Sequence, residues 1–470
     1  APDHNTIARF RSQRLANCLR DLFNQLIIYL GENNEIQYEN LFVDGTKIEA
    51  NANKYTFIWK KATDKFENKL QEKIKDTLKH LKDELGIKIN INNDKITVDF
   101  VSKILHKLDT IKIENKIEFV HGKGKRKSKL QKYFESLEEF IEKQSKYDEY
   151  NSIFDGRNSF SKTDKDATFM HMKEDHMKNG QLKPGYNIQA ATTNQYVVDF
   201  ALYHNPTDFR TLEPFLKQMS TLDKFDKIVA DAGYGSEDNY SMLEKEHPDK
   251  KYYIPYTMYE KEKTRKYRSD PTRLANWFYD EKDDYYLDQN GVRFNFKYYS
   301  RRKDRSTDQV RDFKVYEADE FQLTPELERL AKTKSGRQRQ VRYNPNWQYL
   351  KEKAKEVLQS PEGRHIYSMR KYDVEPIFGH LKNIFGIRRT HLRGKKKVET
   401  DVGIAFIMMN LSKYWNRRWS RVQSSLCKIK KAVKQLKSRV GLIVFWYLRI
   451  SYFPDTFNLI NLKFIKWPIS

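Results

Sequence analysis

Residues 5–30, NTIARFRSQRLANCLRDLFNQLIIYL, carry apolar side chains at helical spacing and predict an amphipathic helix with Asn5 as its N-cap. Residues 36–53 break that period. LFV runs into Asp44 and Gly45, and TKIEANAN follows, which predicts a strand ending at Asp44 and a glycine turn. Taken alone, Asp-Gly between two strand-like runs reads as a hairpin turn. Residues 60–150 return to the helical period with a high density of charge, KFENKLQEKIKDTLKHLKDELG and LQKYFESLEEFIEKQSKYDEY, and enclose the basic run HGKGKRKSK at 121–129. This block predicts a helical insertion. Its plainest reading is a solvated helical hairpin.

From residue 185 the pattern becomes α/β. GYNIQAATTNQYVVDFALYHN predicts a hairpin turning at Thr193–Asn194, and DFRTLEPFLKQM predicts a helix. KIVADAGYG predicts a buried strand that ends at Asp231 and turns. SEDNYSMLEKE predicts a helix capped by Ser236. KYYIPY predicts another short strand. Residues 263–345 alternate, as in VRFNFKYYS and DFKVYEADEF, and predict a β-rich insertion; residues 346–415 are helical again. The tail 441–470 has an apolar run of only about ten residues, too short to span a bilayer, and reads as an aggregation-prone extension or a non-native read-through sequence.

Composition narrows the partners. The 470 residues include 88 Lys and Arg against 64 Asp and Glu, a formal charge of +24. Such an excess favours a polyanion, and nucleic acid is the first candidate. Lipid headgroups compete, but a mean hydropathy of −0.86 and the lack of any apolar run near ~20 residues argue against a spanning helix. Two cysteines, Cys18 and Cys427, leave no disulfide framework and no cysteine metal knuckle. The chain starts at Ala1 in mid-motif. The expectation is that 1–35 is the end of a longer DNA-binding region.

Three carboxylates carry the chemistry: Asp44, Asp231 and Glu375. An apolar strand ending in Asp exposes the carboxylate at the carboxyl edge of a sheet, where open α/β sheets put their sites. Turn capping is the bland alternative for both Asp residues. Glu375 precedes Pro376, which places it at a helix start or a kink. Lys382, seven residues on, shares its face, and the bland alternative is a surface charge pair. Three such acids could hold two hard cations, about 3.5–4 Å apart, on either side of a phosphodiester. Asp164, Asp166 and His171 resemble ligands but are read as loop or support, and His176 and His204 as structural.

Taken together, the motifs PDHNTIARFR, VDGTKIEANANKYTF, KNGQLKPGYNIQ, NPTDFRTL, ADAGYGSEDNY and DVEPIFGHLK…RRTHLRGKKKVETDVG resemble those of bacterial insertion-sequence DDE transposases with the Tyr-Arg-Glu-Lys signature. Here the signature is Tyr367, Arg370, Glu375 and Lys382, with an Arg-to-Glu gap of four residues, one more than the usual form. The resemblance implies an α/β fold: a ribonuclease H-like mixed sheet flanked by helices. Its core would comprise 36–60 and 160–262, interrupted by a helical insertion (61–159) and a β-rich insertion (263–345). Residues 346–415 would close the core with Glu375, ahead of a basic then apolar tail (416–470). Asp44, Asp231 and Glu375 would be both catalytic and metal-binding, holding two Mg²⁺ with Mn²⁺ able to substitute, and Asp231 would follow the fourth strand.

The partners implied are double-stranded DNA, as transposon ends and target, and a second copy in a homodimer on DNA. No membrane and no small-molecule substrate are implied. The location would be the bacterial cytoplasm, on DNA. Tyr367, Arg370 and Lys382 would contact phosphates near the scissile bond. Arg388, Arg389 and Arg393, in RRTHLRGKKK, would grip the backbone, as would SRRKDR at 300–305. Trp277, or a nearby Tyr, could stack on an extruded base, against a bland reading of simple packing. The rival readings are a DNA-binding remnant without activity, a metal-dependent nuclease without strand transfer, and a basic scaffold.

Overall fold

A computed structural model describes residues 2–87, 89, 95–122, 124–172, 180–304, 309–321 and 324–437; His176, Arg305, Arg439 and the tail 441–470 lie outside them. The chain forms two compact units, Ala1–Phe406 and Ile407–Ser470.

The first unit starts with a short helix whose cap is Asp3, not Asn5: the Asp3 carboxylate accepts from Thr6 N at 2.6 Å. Asp3 stands three residues before the first free amide it can satisfy, which is the N-cap geometry. After a π-helical turn, α1 (Ala16–Glu32) buries Leu19, Phe23, Ile27 and Leu30. Strand β1 (Asn40–Glu49) follows, and it does not turn at Gly45. Residues 41–46 are buried without alternation, the signature of a central strand covered on both faces.

The helical insertion is α2 (Lys60–Leu85), α3 (Val98–Glu114) and α4 (Lys129–Phe154). It has its own core, built on Ile74, Leu78, Leu81, Val101, Ile104, Leu108, Leu137 and Phe140. Its two ends meet in a small antiparallel sheet, Phe57–Trp59 against Ser159–Ser161.

The main sheet then continues with β2 (Thr168–His171), β3 (Leu182–Thr193) and β4 (Tyr196–Tyr203), then α5 (Leu212–Gln218), β5 (Lys227–Ala230), α6 (Glu237–Glu246) and β6 (Lys251–Tyr253). β2 and β4 both pair antiparallel with β3, β3 pairs antiparallel with β1, and β5 and β6 then add in parallel. The β3–β4 turn falls on Asn194 and Gln195, one residue later than the sequence suggests. Both have positive φ, 51° and 58°, the conformation a two-residue hairpin loop needs to match strand twist. Asp231 follows the fifth strand of the sheet in chain order, because the short β2 joins the sheet ahead of β3.

The β-rich insertion is a five-stranded antiparallel meander, β7 (Phe278–Asp280), β8 (Tyr285–Leu287), β9 (Arg293–Lys303), β10 (Val310–Ala318) and β11 (Gln340–Tyr343). Its core includes Trp277, Val292, Phe294 and Tyr316. Four helices complete the described chain: α7 (Pro345–Gln359), α8 (Pro361–Asp373), α9 (Glu375–Asn383) and α10 (Lys395–Lys437). Helix α8 packs on β1, β5 and β6. In the second unit the rings of Trp415 and Trp419 stack 6.4 Å apart, and the helical residues from 407 to 437 contain no acid.

Phe200 of β4 anchors both ends of the first unit. Phe23 of α1 meets it edge-on at 5.1 Å and Phe406 of α10 at 5.4 Å. Beside it, Arg20 binds Asp199 at 2.5 Å and Glu399 at 3.0 Å. Burial pushes the Asp199 carboxyl from 3.8 up to about 6, although Arg20 pulls it down. Between those two values the folded chain holds a proton that the unfolded chain has lost. The contribution of Asp199 to stability is therefore present below about pH 4 and is lost as pH rises to about 6. Asp199→Asn is expected to flatten the pH dependence of the denaturant midpoint in that window. An unchanged slope would rule Asp199 out as its source.

Candidate functional site

The parallel register of β1 and β5 brings the first two predicted acids together. Val43 stands beside Ala230, so Asp44 and Asp231 come next at the same level on strands about 4.8 Å apart. Asp231 lies just past the carboxyl end of β5, where the chain turns through Ala232 and Gly233. Its Oδ1 accepts from Gly233 N at 2.8 Å. Asp44 remains inside β1, opposite Ala190 of β3, and its Oδ1 accepts from Gly45 N at 2.7 Å. The hairpin reading of Asp-Gly thus fails at Asp44. Local turn preference is overridden by pairing on both edges of β1.

Gly45 is there to admit its neighbours. A Cβ at Gly45 would stand 2.8 Å from Asp208 Oδ1 and would collide with Gln189 Nε2. These contacts belong to a buried polar network that sequence reasoning missed. Gln189 donates to Asp208 Oδ1 at 3.0 Å, Asn187 donates to the same oxygen at 2.7 Å, and Tyr234 O–H donates to Gln189 Oε1. Tyr234 is fully buried. Burial pushes its phenol well above the ordinary value, and the charges of Asp208, Asp44 and Asp231 push it further the same way. It stays a neutral donor among three acids. The traces in the sequence were Asp208 in NPTDFRTL and Tyr234 in ADAGYG, motifs that carry no local sign of their pairing.

Helix α8 supplies the cation. Arg370 Nη1 lies 3.2 Å from Asp44 Oδ2, with both side chains largely buried. Tyr367, one turn earlier, is half-buried, and its ring lies 5.9 Å from the Arg370 guanidinium. Burial raises the Tyr367 phenol, Arg370 lowers it and Asp231 raises it, which places it by charge between the two. The end of α8 is pinned to the β3–β4 turn through buried Asp373, which accepts from Thr192 Oγ1 at 2.6 Å and Gln195 N at 3.0 Å. Val374 breaks the helix, and Glu375 opens α9 on an exposed position, with Lys382 half-buried on the same helix.

Asp44 and Asp231 therefore stand together, with Arg370 and Tyr367 beside them. Glu375 is at a helix start as expected. Among the described residues no group of three or more His, Cys, Asp and Glu is arranged to hold a metal ion. The two Asp carboxylates side by side fit a hard divalent cation in kind.

The basic residues line the same end of β1. Glu49 N donates to Arg388 O at 2.9 Å and Thr390 N to Glu49 O at 2.8 Å, which fastens 388–390 alongside the strand. Arg388, Arg389 and Arg393 are exposed; Arg389 approaches Glu49 at 3.8 Å and Arg393 Nε donates to Asn51 O at 2.9 Å. Asp164 and Asp166 prove to be support. They accept from Gly394 N at 3.2 Å and Lys395 N at 2.7 Å, capping the start of α10. His204 holds Asp166 O at 2.6 Å. Trp277 is buried, its ring 4.8 Å from Phe294 and its N–H donated to Pro271 O at 2.7 Å. It packs the insertion, while Phe278, Tyr298 and Tyr299 are exposed.

Residues 289–415 match the family model of a transposase DDE domain. The match supports a DDE transposase family. It covers Tyr367, Arg370, Glu375 and Lys382, and Asp44 and Asp231 lie outside it. No curated protein matches the chain.

Gly45→Ala tests the close approach. The added methyl must displace Gln189 or Asp208, and overpacking of this kind costs about 1–3 kcal/mol. Chemical denaturation should show a loss of that order. A neutral Gly45→Ala would mean that the amide network does not depend on this contact.

Proposed function

We propose that this chain is a DDE transposase of a bacterial insertion sequence, which cleaves DNA at transposon ends and joins the freed 3′ end to target DNA. The observation that carries the reading is the side-by-side placement of Asp44, within β1, and Asp231, just past the end of the parallel strand β5, under a helix whose Arg370 meets Asp44, in a chain with a DDE-domain match. The sheet supports a ribonuclease H-like core: β4, β3 and β1 run antiparallel in succession, and β5 and β6 continue in parallel. No helix among the described residues is long and apolar enough to cross a membrane.

Bound divalent ions, Mg²⁺ or Mn²⁺, would stabilise the attacking and leaving oxygens of the phosphodiester. Asp44, Asp231 and Glu375 would hold them. Glu375 would have to close on the Asp pair when DNA is bound, and the Val374 break between α8 and α9 is the joint at which it can do so. Arg370 has two oxyanions within its reach in that complex, Asp44 and a phosphate, and its planar guanidinium suits either. Lys382 and Tyr367 would contact phosphates on the same side. Arg388, Arg389 and Arg393 would hold the backbone without reading bases. Base stacking would fall to an exposed aromatic of the β-rich insertion, such as Tyr299, because Trp277 is enclosed. Two copies would act as a dimer on paired ends.

The test is an oligonucleotide assay for cleavage and joining with Mg²⁺ or Mn²⁺. Asp231→Asn and Glu375→Gln are each expected to remove both activities while leaving salt-dependent DNA binding in place. Cleavage without joining would reduce the protein to a nuclease. Equal activity in the variants, or activity in chelator, would overturn the metal-dependent three-acid site, and no cleavage at all would leave only a basic DNA binder.

A further inference from the structure

Asp208 is a half-buried acid that the three-carboxylate scheme does not use. It opens the turn after β4. Its Oδ1 is fixed by two fully buried amides, Asn187 at 2.7 Å and Gln189 at 3.0 Å, both on β3. Those amides are neutral, so they orient the carboxylate without supplying a counter-ion. Its Oδ2 lies 3.7 Å from the point where a Gly233 Cβ would stand, and Asp231 Oδ1 lies 2.9 Å from that same point. Both carboxylates thus border the same space beside Gly233. Asp44 has Arg370 for a counter-ion. Neither Asp208 nor Asp231 has an ion pair among the described residues.

Two like charges held this close in a partly desolvated site repel, and a cation between or beside them relieves that repulsion. We propose that Asp208 is a positioning residue of the acidic pair: clamped by Asn187 and Gln189, it faces Asp231 across Gly233 and tightens the hold of Asp231 on a divalent cation. The inference rests on the metal-dependent reading above. Asp208 acts through Asp231 and need not touch DNA. Its charge contributes to metal affinity, and its amide clamps keep that charge from turning away when no metal is present.

The test is Mn²⁺ binding to the full chain without DNA, followed by electron paramagnetic resonance, in wild type, Asp208→Asn, Asp208→Glu and Asp231→Asn. Asp208→Asn keeps the shape and removes the charge. It is expected to weaken Mn²⁺ binding about tenfold, as loss of one nearby charge at intermediate dielectric implies, and Asp208→Glu should recover most of the loss. In the cleavage assay Asp208→Asn should raise the metal concentration needed for half-maximal rate and leave the rate at saturating metal near wild type. Unchanged Mn²⁺ affinity in Asp208→Asn, or equal losses in the Asn and Glu variants, would overturn the role assigned to charge. If Asp208→Asn does not fold, Fe²⁺-directed backbone cleavage of the wild type replaces it. Cuts are expected near both 208 and 231, and cuts near 231 without any near 208 would overturn the proposal. If Asp231→Asn binds Mn²⁺ as the wild type does, the metal reading itself falls, whatever Asp208 shows.

Discussion

The arrangement of the site depends on one pairing, the parallel contact of β1 with β5. It sets two carboxylates side by side, which no chain does without compensation. Each acid receives a backbone N–H from a following glycine, Gly45 next after Asp44 and Gly233 two residues after Asp231. Asp44 in addition receives Arg370. Gly45 leaves open the space through which Gln189 and Asp208 approach, whereas a Cβ at Gly233 would crowd the Asp231 carboxylate itself, 2.9 Å away. The glycines thus serve close packing of polar groups more than backbone freedom, and neither has a left-handed φ.

The same logic explains how a chain of this length keeps a small site intact. Both large insertions bury their own apolar side chains, so neither borrows core from the sheet. The helical insertion leaves and returns through paired strands, with Lys60 N donating to Asn158 O at 2.9 Å. Closing a long loop at a fixed neck costs little more than closing a short one, so such a bundle can be added without disturbing β1. The one buried acid among its described residues, Glu67, is answered within the bundle by Lys95, Gln144 and Asn151. Nothing in that network calls for a metal or a substrate.

How far the sequence revealed this site follows the range of the interactions involved. Asp231 was legible because its signals are local: an apolar run, an acid, a glycine turn and the Ser236 cap. Ser236 does accept from Asn239 N at 3.2 Å. Asp44 presented nearly the same local signals and misled, since Asp-Gly favours a turn and only the flanking strands β3 and β5 keep it extended. Asp208 and Gln189 were not legible at all. They meet across 19 residues of chain, and Tyr234 reaches Gln189 across 45. A buried amide inside a strand shows no periodicity that distinguishes it from a solvated one. Trp277 stood out as a large aromatic in a basic, β-rich stretch, yet large aromatics dominate small cores, and this insertion used it so.

The four-residue gap between Arg370 and Glu375 follows from the same geometry. In one continuous helix an added residue would rotate Glu375 about 100° away from the face that Arg370 presents. The helix is not continuous. Asp373 is tied to Thr192 and Gln195, Val374 caps the break, and Pro376 at the start of α9 has no N–H to extend α8. The face of α9 is therefore set by its own buried residues, Ile377, Phe378 and Leu381, and not by the phase of α8. Arg370 can meet Asp44 whatever the gap, and the extra residue is absorbed at the joint. Asp373, two positions before Glu375, fixes where α8 ends, through bonds to a hairpin in the same sheet that carries Asp44.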